Sequence, residues 1–144
     1  RHASQSRFAT MAMAIFEPEA ATLSYGTAGH PPPLLRRAAT GEVIILSDSH
    51  GPALGPLVET SFTGAILEIF PGDVLVLYTD GLVERRGTDI DTGIARAQTI
   101  IGGWDSVTLL EKHCDALLEE LAPRPRNDDV CIIAVRFTGV ISSQ

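Results

Sequence analysis

The sequence predicts an α+β domain: a mostly antiparallel β-sandwich flanked by helices. Three observations carry that prediction. Short apolar or alternating runs, punctuated by Gly, Pro and Asp, fill residues 8–78. Two stretches with apolar residues at helical spacing follow, between residues 89 and 121. A final β-branched run then occupies residues 130–137.

Each element has its own signal. Residues 8–16 are continuously apolar and short, which favours a buried strand over a helix. A turn at 17–20 leads to residues 22–26, where Leu23 and Tyr25 alternate with Thr22 and Ser24, the pattern of a hairpin return. Residues 27–33 end in three prolines and read as a rigid loop. Residues 34–35 and 42–46 form another short pair, turning at 39–41, and 47–56 is loop. Residues 62–70 are a strand that meets the next, Val74–Tyr78, through Pro71, Gly72 and Asp73, so these two are expected to pair as a hairpin. In the first helix, Asp89 or Asp91 caps a face of Ile90, Ile94, Ala97 and Ile101, and Gly102 and Gly103 stop it. In the second, Thr108 and Glu111 have capping-box spacing ahead of a stripe from Leu109 to Leu121 that includes His113 and Cys114. Residues 123–126 are a stiff basic loop, Asn127, Asp128 and Asp129 open the last strand, and 139–144 read as a disordered tail to a domain at 1–138.

Composition narrows the function. With 44% hydrophobic and 20% charged residues, the 144-residue chain falls among globular domains. A net charge of −7 argues against nucleic acid or an anionic membrane as its main partner. No apolar run reaches spanning length, and residues 1–7 do not resemble a signal peptide. Cys114 and Cys131 read as buried thiols of a reducing, cytoplasmic compartment. The chain enters a strand almost at once without a Met, which is expected of a piece of a larger protein.

The chemistry centres on strand ends. Asp80 leaves the buried run 74–78, and Asp128 and Asp129 enter the last strand. If those strands are antiparallel, the carboxylates converge on one edge; if parallel, they lie at opposite ends. Gly81, lacking a Cβ, lets a ligand or a second segment approach. Convergent carboxylates are hard oxygen ligands suited to Mg²⁺ or Mn²⁺. His30 is a candidate substrate contact, against the competing reading of a loop histidine bonded to backbone beside prolines. Arg85 and Arg86 are candidates to guide a phosphate toward Asp80, against the competing reading of a solvated charge pair.

Residues 75–84 (LVLYTDGLVE) and 127–135 (NDDVCIIAV), with 8–10, 28–33 and 51–55 in order, resemble the SpoIIE-like branch of the metal-dependent (PPM, type 2C) serine/threonine protein phosphatases. That resemblance implies an αββα sandwich with a dinuclear Mn²⁺ or Mg²⁺ site. Asp80 and Asp128 would be ligands, and Asp129 a further candidate. It implies hydrolysis of phosphoserine or phosphothreonine by metal-bound water, in a bacterial regulator acting on a phosphorylated STAS-type anti-sigma-factor antagonist. The family's earlier Gly-Gly-Asp and Gly-Asp-Val-x-Gly-His-Gly motifs do not occur here. The chain is therefore expected to be the C-terminal part of the catalytic domain, inactive alone and prone to self-association through uncovered surface. A non-catalytic binding module with a degenerate phosphatase fold is the alternative. A haloacid-dehalogenase-type phosphotransferase ranks behind both, because it wants a second Asp where Leu82 stands.

Overall fold

The computed structural model describes residues 7–55, 64–126 and 128–139. Expectations for residues 1–6, Pro56, residues 62–63, Asn127 and residues 140–144 lie outside the described residues. The strands are β1 (Met11–Glu17), β2 (Thr22–Ala28), β3 (Leu34–Arg36), β4 (Val43–Ile45), β5 (His50–Gly51), β6 (Ala65–Glu68), β7 (Val74–Tyr78) and β8 (Ile132–Arg136). The helices α1 (Ile90–Gly102) and α2 (Leu110–Leu121) fall between β7 and β8.

Two sheets form. In the first, β2 pairs antiparallel with β1 along one edge. Its other edge is shared by β6, antiparallel, and β5, parallel. The second sheet has the order β4-β3-β7-β8 and is antiparallel throughout. Period-two alternation then sorts the core. Leu35 and Leu75 point between the sheets, where Leu23, Tyr25, Ile69 and Phe137 meet them. Leu34, Val74, Val76 and Tyr78 point the other way, onto Ile94, Ala97 and Ile101 of α1 and Leu117 and Leu121 of α2. β7 is covered on both faces, which is why its sequence is an unbroken apolar run rather than an alternating one.

The fold class follows the expectation, but β1 is exposed along one face rather than buried because it lies at a sheet edge. The 47–56 loop contributes the short strand β5 by pairing with β2, and three further local readings differ. β6 and β7 do not pair: β6 extends the first sheet beside β2, and β7 lies in the second. The intervening corner is tied across the layers, with the Asp73 carboxylate accepting from the Phe70 N–H behind it and the Ala38 N–H of the other sheet. Alternation and a turn signal identify two strands without stating which sheet each joins. The capping box at Thr108 and Glu111 is replaced by an Asx-type turn: Asp105 Oδ1 accepts from the Val107 and Thr108 N–H groups, and Oδ2 from the Thr108 hydroxyl. Cys131 is exposed, since the ladder passes the start of β8 on its edge; Cys114 is partly buried. His113 keeps a boundary position, stacked on Trp104 with ring centroids 4.9 Å apart.

Among the described residues, nothing covers the outer face of the first sheet. Met11, Met13, Ile15 and Ile66 stand there 41%, 48%, 57% and 70% exposed.

Candidate functional site

β7 and β8 run antiparallel, with Tyr78 opposite Ile132, so the exit of one lies beside the entry of the other. One further rung uses a side chain: the Thr79 N–H donates to the Cys131 carbonyl at 3.1 Å, and the Cys131 N–H donates to Thr79 Oγ1 at 2.9 Å. Beyond it, Asp80–Leu82 make a single 3-10 turn, closed by Val83 N–H and Glu84 N–H on the Asp80 carbonyl at 3.0 and 2.8 Å. Leu82 and Val83, 1% and 2% exposed, anchor this turn in the helix-side core. Asp80 is thereby exposed at the end of a rigid strand.

Gly81 is where the two segments touch. A Cβ there would fall 2.6 Å from the Asp129 carbonyl oxygen and 3.2 Å from Asp128 Cβ, so no other residue fits without displacing backbone. The glycine read from sequence as permitting close approach is therefore in contact with the β8 entry itself.

Two clefts open on either side of this contact. One, of about 620 Å³, is lined by His30, Pro31, Ile45, Asp80, Glu84 and Ile90 among others. The other, of about 430 Å³, is lined by Gly81, Glu84, Arg85, Arg86, Arg126 and Asp128. Asp80 and Asp128 thus face different clefts with Glu84 common to both, and Asp129 lines neither. Among the described residues there is no group of three or more His, Cys, Asp or Glu side chains placed to hold a metal ion.

The ring nitrogens of His30 are both engaged. Nε2 lies 2.9 Å from the Tyr78 carbonyl and donates to it, and Nδ1 lies 3.1 Å from the Thr10 hydroxyl. The histidine pins the 29–33 loop to the end of β7, and the competing reading of a backbone-bonded loop histidine is the one its hydrogen bonds fit. Arg85 Nη1 donates to the Leu121 carbonyl at 2.9 Å while its side chain lines the Asp128 cleft. Burial pushes the Tyr78 phenol above its ordinary pKa, and Oη has no hydrogen-bond partner among the described residues, so this ring stays neutral. Arg86, read from the sequence with Arg85 as a phosphate guide, lines the same cleft, whereas sequence reasoning passed over Glu84 and Arg126. Their signal was adjacency: Glu84 follows Asp80 within six residues, and Arg126 precedes Asp128 by two.

Two facing, largely antiparallel sheets with paired helices on one of them are the fold of the PP2C-type phosphatase domains. The manganese-presoaked phosphatase domain of SpoIIE from Bacillus subtilis superposes with a TM-score of 0.70 at 21% identity, over 90% of this chain and 56% of that one. The chain belongs to the SpoIIE family: Stage II sporulation protein E (SpoIIE) matches residues 1–138. The RsbU and RsbW domains of Rv1364c from Mycobacterium tuberculosis are similar at 30% identity and a TM-score of 0.73, over 90% of this chain and 37% of that chain. Protein IcfG of Synechocystis sp. is 33% identical over 137 residues, which are 93% of this chain and 21% of that protein. The chain therefore spans about a fifth of IcfG and little more than a third of Rv1364c as solved. Among the described residues, no helix is long and apolar enough to cross a membrane.

Proposed function

We propose that this chain is the C-terminal part of the catalytic domain of a metal-dependent serine/threonine protein phosphatase, a cytoplasmic regulator acting on a phosphorylated STAS-type anti-sigma-factor antagonist. The observation that carries the reading is the contact at Gly81, which brings the Asp80 exit of β7 against the Asp128 entry of β8. Asp80 and Asp128, with Asp129 as a further ligand, would hold Mn²⁺ or Mg²⁺. The donor chemistry fits, because carboxylates and backbone carbonyls are the hard oxygens these ions select. Such an ion prefers six oxygens, which water and, on this reading, a further segment of the catalytic domain would complete. When bound, the cation supplies charge against the phosphoryl oxygens and lowers the pKa of a water.

The chain's own residues do the positioning. Thr79 and its rungs to Cys131 hold the backbone from which Asp80 projects. Arg85, held by the Leu121 carbonyl, draws a phosphoryl dianion toward the Asp128 side. The solved relative at 30% identity carries an RsbU and an RsbW domain, which supports a protein partner in a regulatory pathway. That the described residues hold no group of three or more His, Cys, Asp or Glu side chains placed for a metal ion favours one other reading, a non-catalytic protein-binding module.

Mn²⁺-dependent hydrolysis of p-nitrophenyl phosphate and of a phosphoserine protein decides between them. The assay compares this chain with one extended N-terminally, each with Asp80→Asn and Asp128→Asn. The phosphatase reading expects activity in the extended chain and its loss in both variants. An extended chain that binds its protein partner yet hydrolyses neither substrate leaves the binding module.

A further inference from the structure

The cleft beside Asp128 is basic in a chain whose net charge is −7. Arg85, Arg86 and Arg126 line it, and Arg124 adjoins it with Pro125. Two of these guanidiniums are held from behind. The last-turn carbonyls of a helix lack intrahelical partners, and α2 has no basic residue of its own in that turn. Arg85 Nη1 takes the Leu121 carbonyl at 2.9 Å, and Arg126 Nε takes that of Ala122. Each uses part of a five-donor fork for this and retains other N–H groups for the cleft it lines. Arg126 Nη2 also meets Glu119 Oε1 at 3.1 Å.

Arg86 is presented differently. The Thr88 N–H donates to the Arg85 carbonyl at 3.1 Å, and Gly87 has φ of +82°, so residues 85–88 form a tight turn with Arg86 at its exposed corner. None of the three ion pairs among the described residues joins Arg85 or Arg86 to a carboxylate, Glu84 and Asp128 included. Glu84 and Asp128 share the cleft wall and Glu119 holds Arg126, so among the described residues Arg85 and Arg86 are the lining cations without an ion pair. At about 430 Å³ the cleft is also far larger than one phosphoryl group requires.

Resting on the phosphatase reading, we infer that this arginine-lined cleft selects the sequence around the phosphorylated residue: it receives an acidic side chain of the protein substrate adjacent to the phosphoserine. Arg86 and Arg126 are the specificity-determining residues, and they act on substrate binding. Because the occupant is a carboxylate on a peptide, its contribution is electrostatic and falls with salt.

The test uses two fluorescein-labelled phosphoserine peptides of equal length, one with Asp and Glu flanking the phosphoserine and one with Asn and Gln. Their affinity for the 144-residue chain is read by fluorescence anisotropy at low and at physiological salt. The acidic peptide is expected to bind about 10-fold tighter, the scale of one or two charge-assisted hydrogen bonds, with the advantage shrinking as salt rises. Arg86→Glu should abolish the preference. Arg96→Glu, an equal charge change on exposed α1 outside the cleft, should retain it. Equal affinity of the two peptides for the unsubstituted chain overturns the inference without use of any variant. So does a preference that Arg96→Glu removes as fully as Arg86→Glu does. Hydrolysis by the extended chain separates the two levels: turnover without preference sinks the cleft alone, and preferential binding without turnover sinks the phosphatase reading alone.

Discussion

The Asp73 carboxylate, 1% exposed, accepts from Arg37 Nη1 at 2.7 Å, the Ala38 N–H at 2.9 Å and the Phe70 N–H at 3.0 Å. Those donors come from both sheets, so one side chain fixes the corner at which the chain crosses between layers. Breaking a buried pair by removing one partner costs about 3–5 kcal/mol. Arg37 is 19% exposed and keeps the Glu68 carbonyl and the Phe70 ring as partners, so about 2–4 kcal/mol is the appropriate scale for Asp73→Ala. Urea unfolding should show that loss, and a change below about 1 kcal/mol, the net value of an ordinary hydrogen bond, would mean that the corner holds without its carboxylate. Asp73 was legible in the sequence only as a turn residue. Its partners at 37 and 38 are remote in the chain, and no local pattern announces them.

Helix α1 brings two opposing effects into one element. Gly93 lies in its first turns, and Gly→Ala within an exposed helix ordinarily stabilises by about 1 kcal/mol. Here a Cβ would sit 2.0 Å from the Val83 carbonyl oxygen, in the turn that follows Asp80. Overpacking of that kind costs about 1–3 kcal/mol or more, so the clash outweighs the propensity and Gly93→Ala should lower the thermal midpoint. A raised midpoint would show that the turn yields, and with it the placement of Asp80. At the helix start, Asp89 accepts from the Thr92 N–H at 2.7 Å, and this bond holds its carboxyl below the usual range. A carboxylate lowered on folding contributes stability above its unfolded pKa and loses it as pH falls through the folded one. Asp89→Asn keeps an acceptor but removes the charge. The stability gap between the two proteins should therefore close below about pH 4, and a gap independent of pH would refute the linkage. The cap, the apolar face and the Gly102–Gly103 stop were all readable, because helix ends are local. The start of α2 was misread for the same reason in reverse: Asp105 competes for the donors that Thr108 was expected to arrange, three residues earlier than the template looks.

At the scale of the whole molecule, the sequence made the shared edge of the candidate site legible through topology. Once the 74–78 run and the last strand pair antiparallel, Asp80 and Asp128 must share an edge, and that inference needed no side-chain detail. The division of the edge into two clefts was not legible, since it depends on how the 3-10 turn and the 85–88 turn fold over Gly81. The same topology leaves the first sheet with one partnered face. In it, Ile15 and Ile66 flank Ser24 in a single cross-strand row, and Met13 lies beside Gly26. Large side chains around two small ones leave an apolar groove of about 300 Å³ with Met11, Met13 and Ile15 on its wall. Contiguous exposed apolar surface of this kind is a self-association surface in a chain studied alone. Sedimentation velocity on the 144-residue chain should show concentration-dependent dimers or larger species. Ile66→Lys should return it to monomer, because it places a charge on the most exposed apolar side chain of the row. Ile66 is 70% exposed, so the substitution should change folding stability by no more than about 0.5 kcal/mol, which separates lost association from lost structure. A chain that stays monomeric at high concentration with Ile66 intact would show that Ser24 and Gly26 leave the face too uneven for a second copy to seat on it.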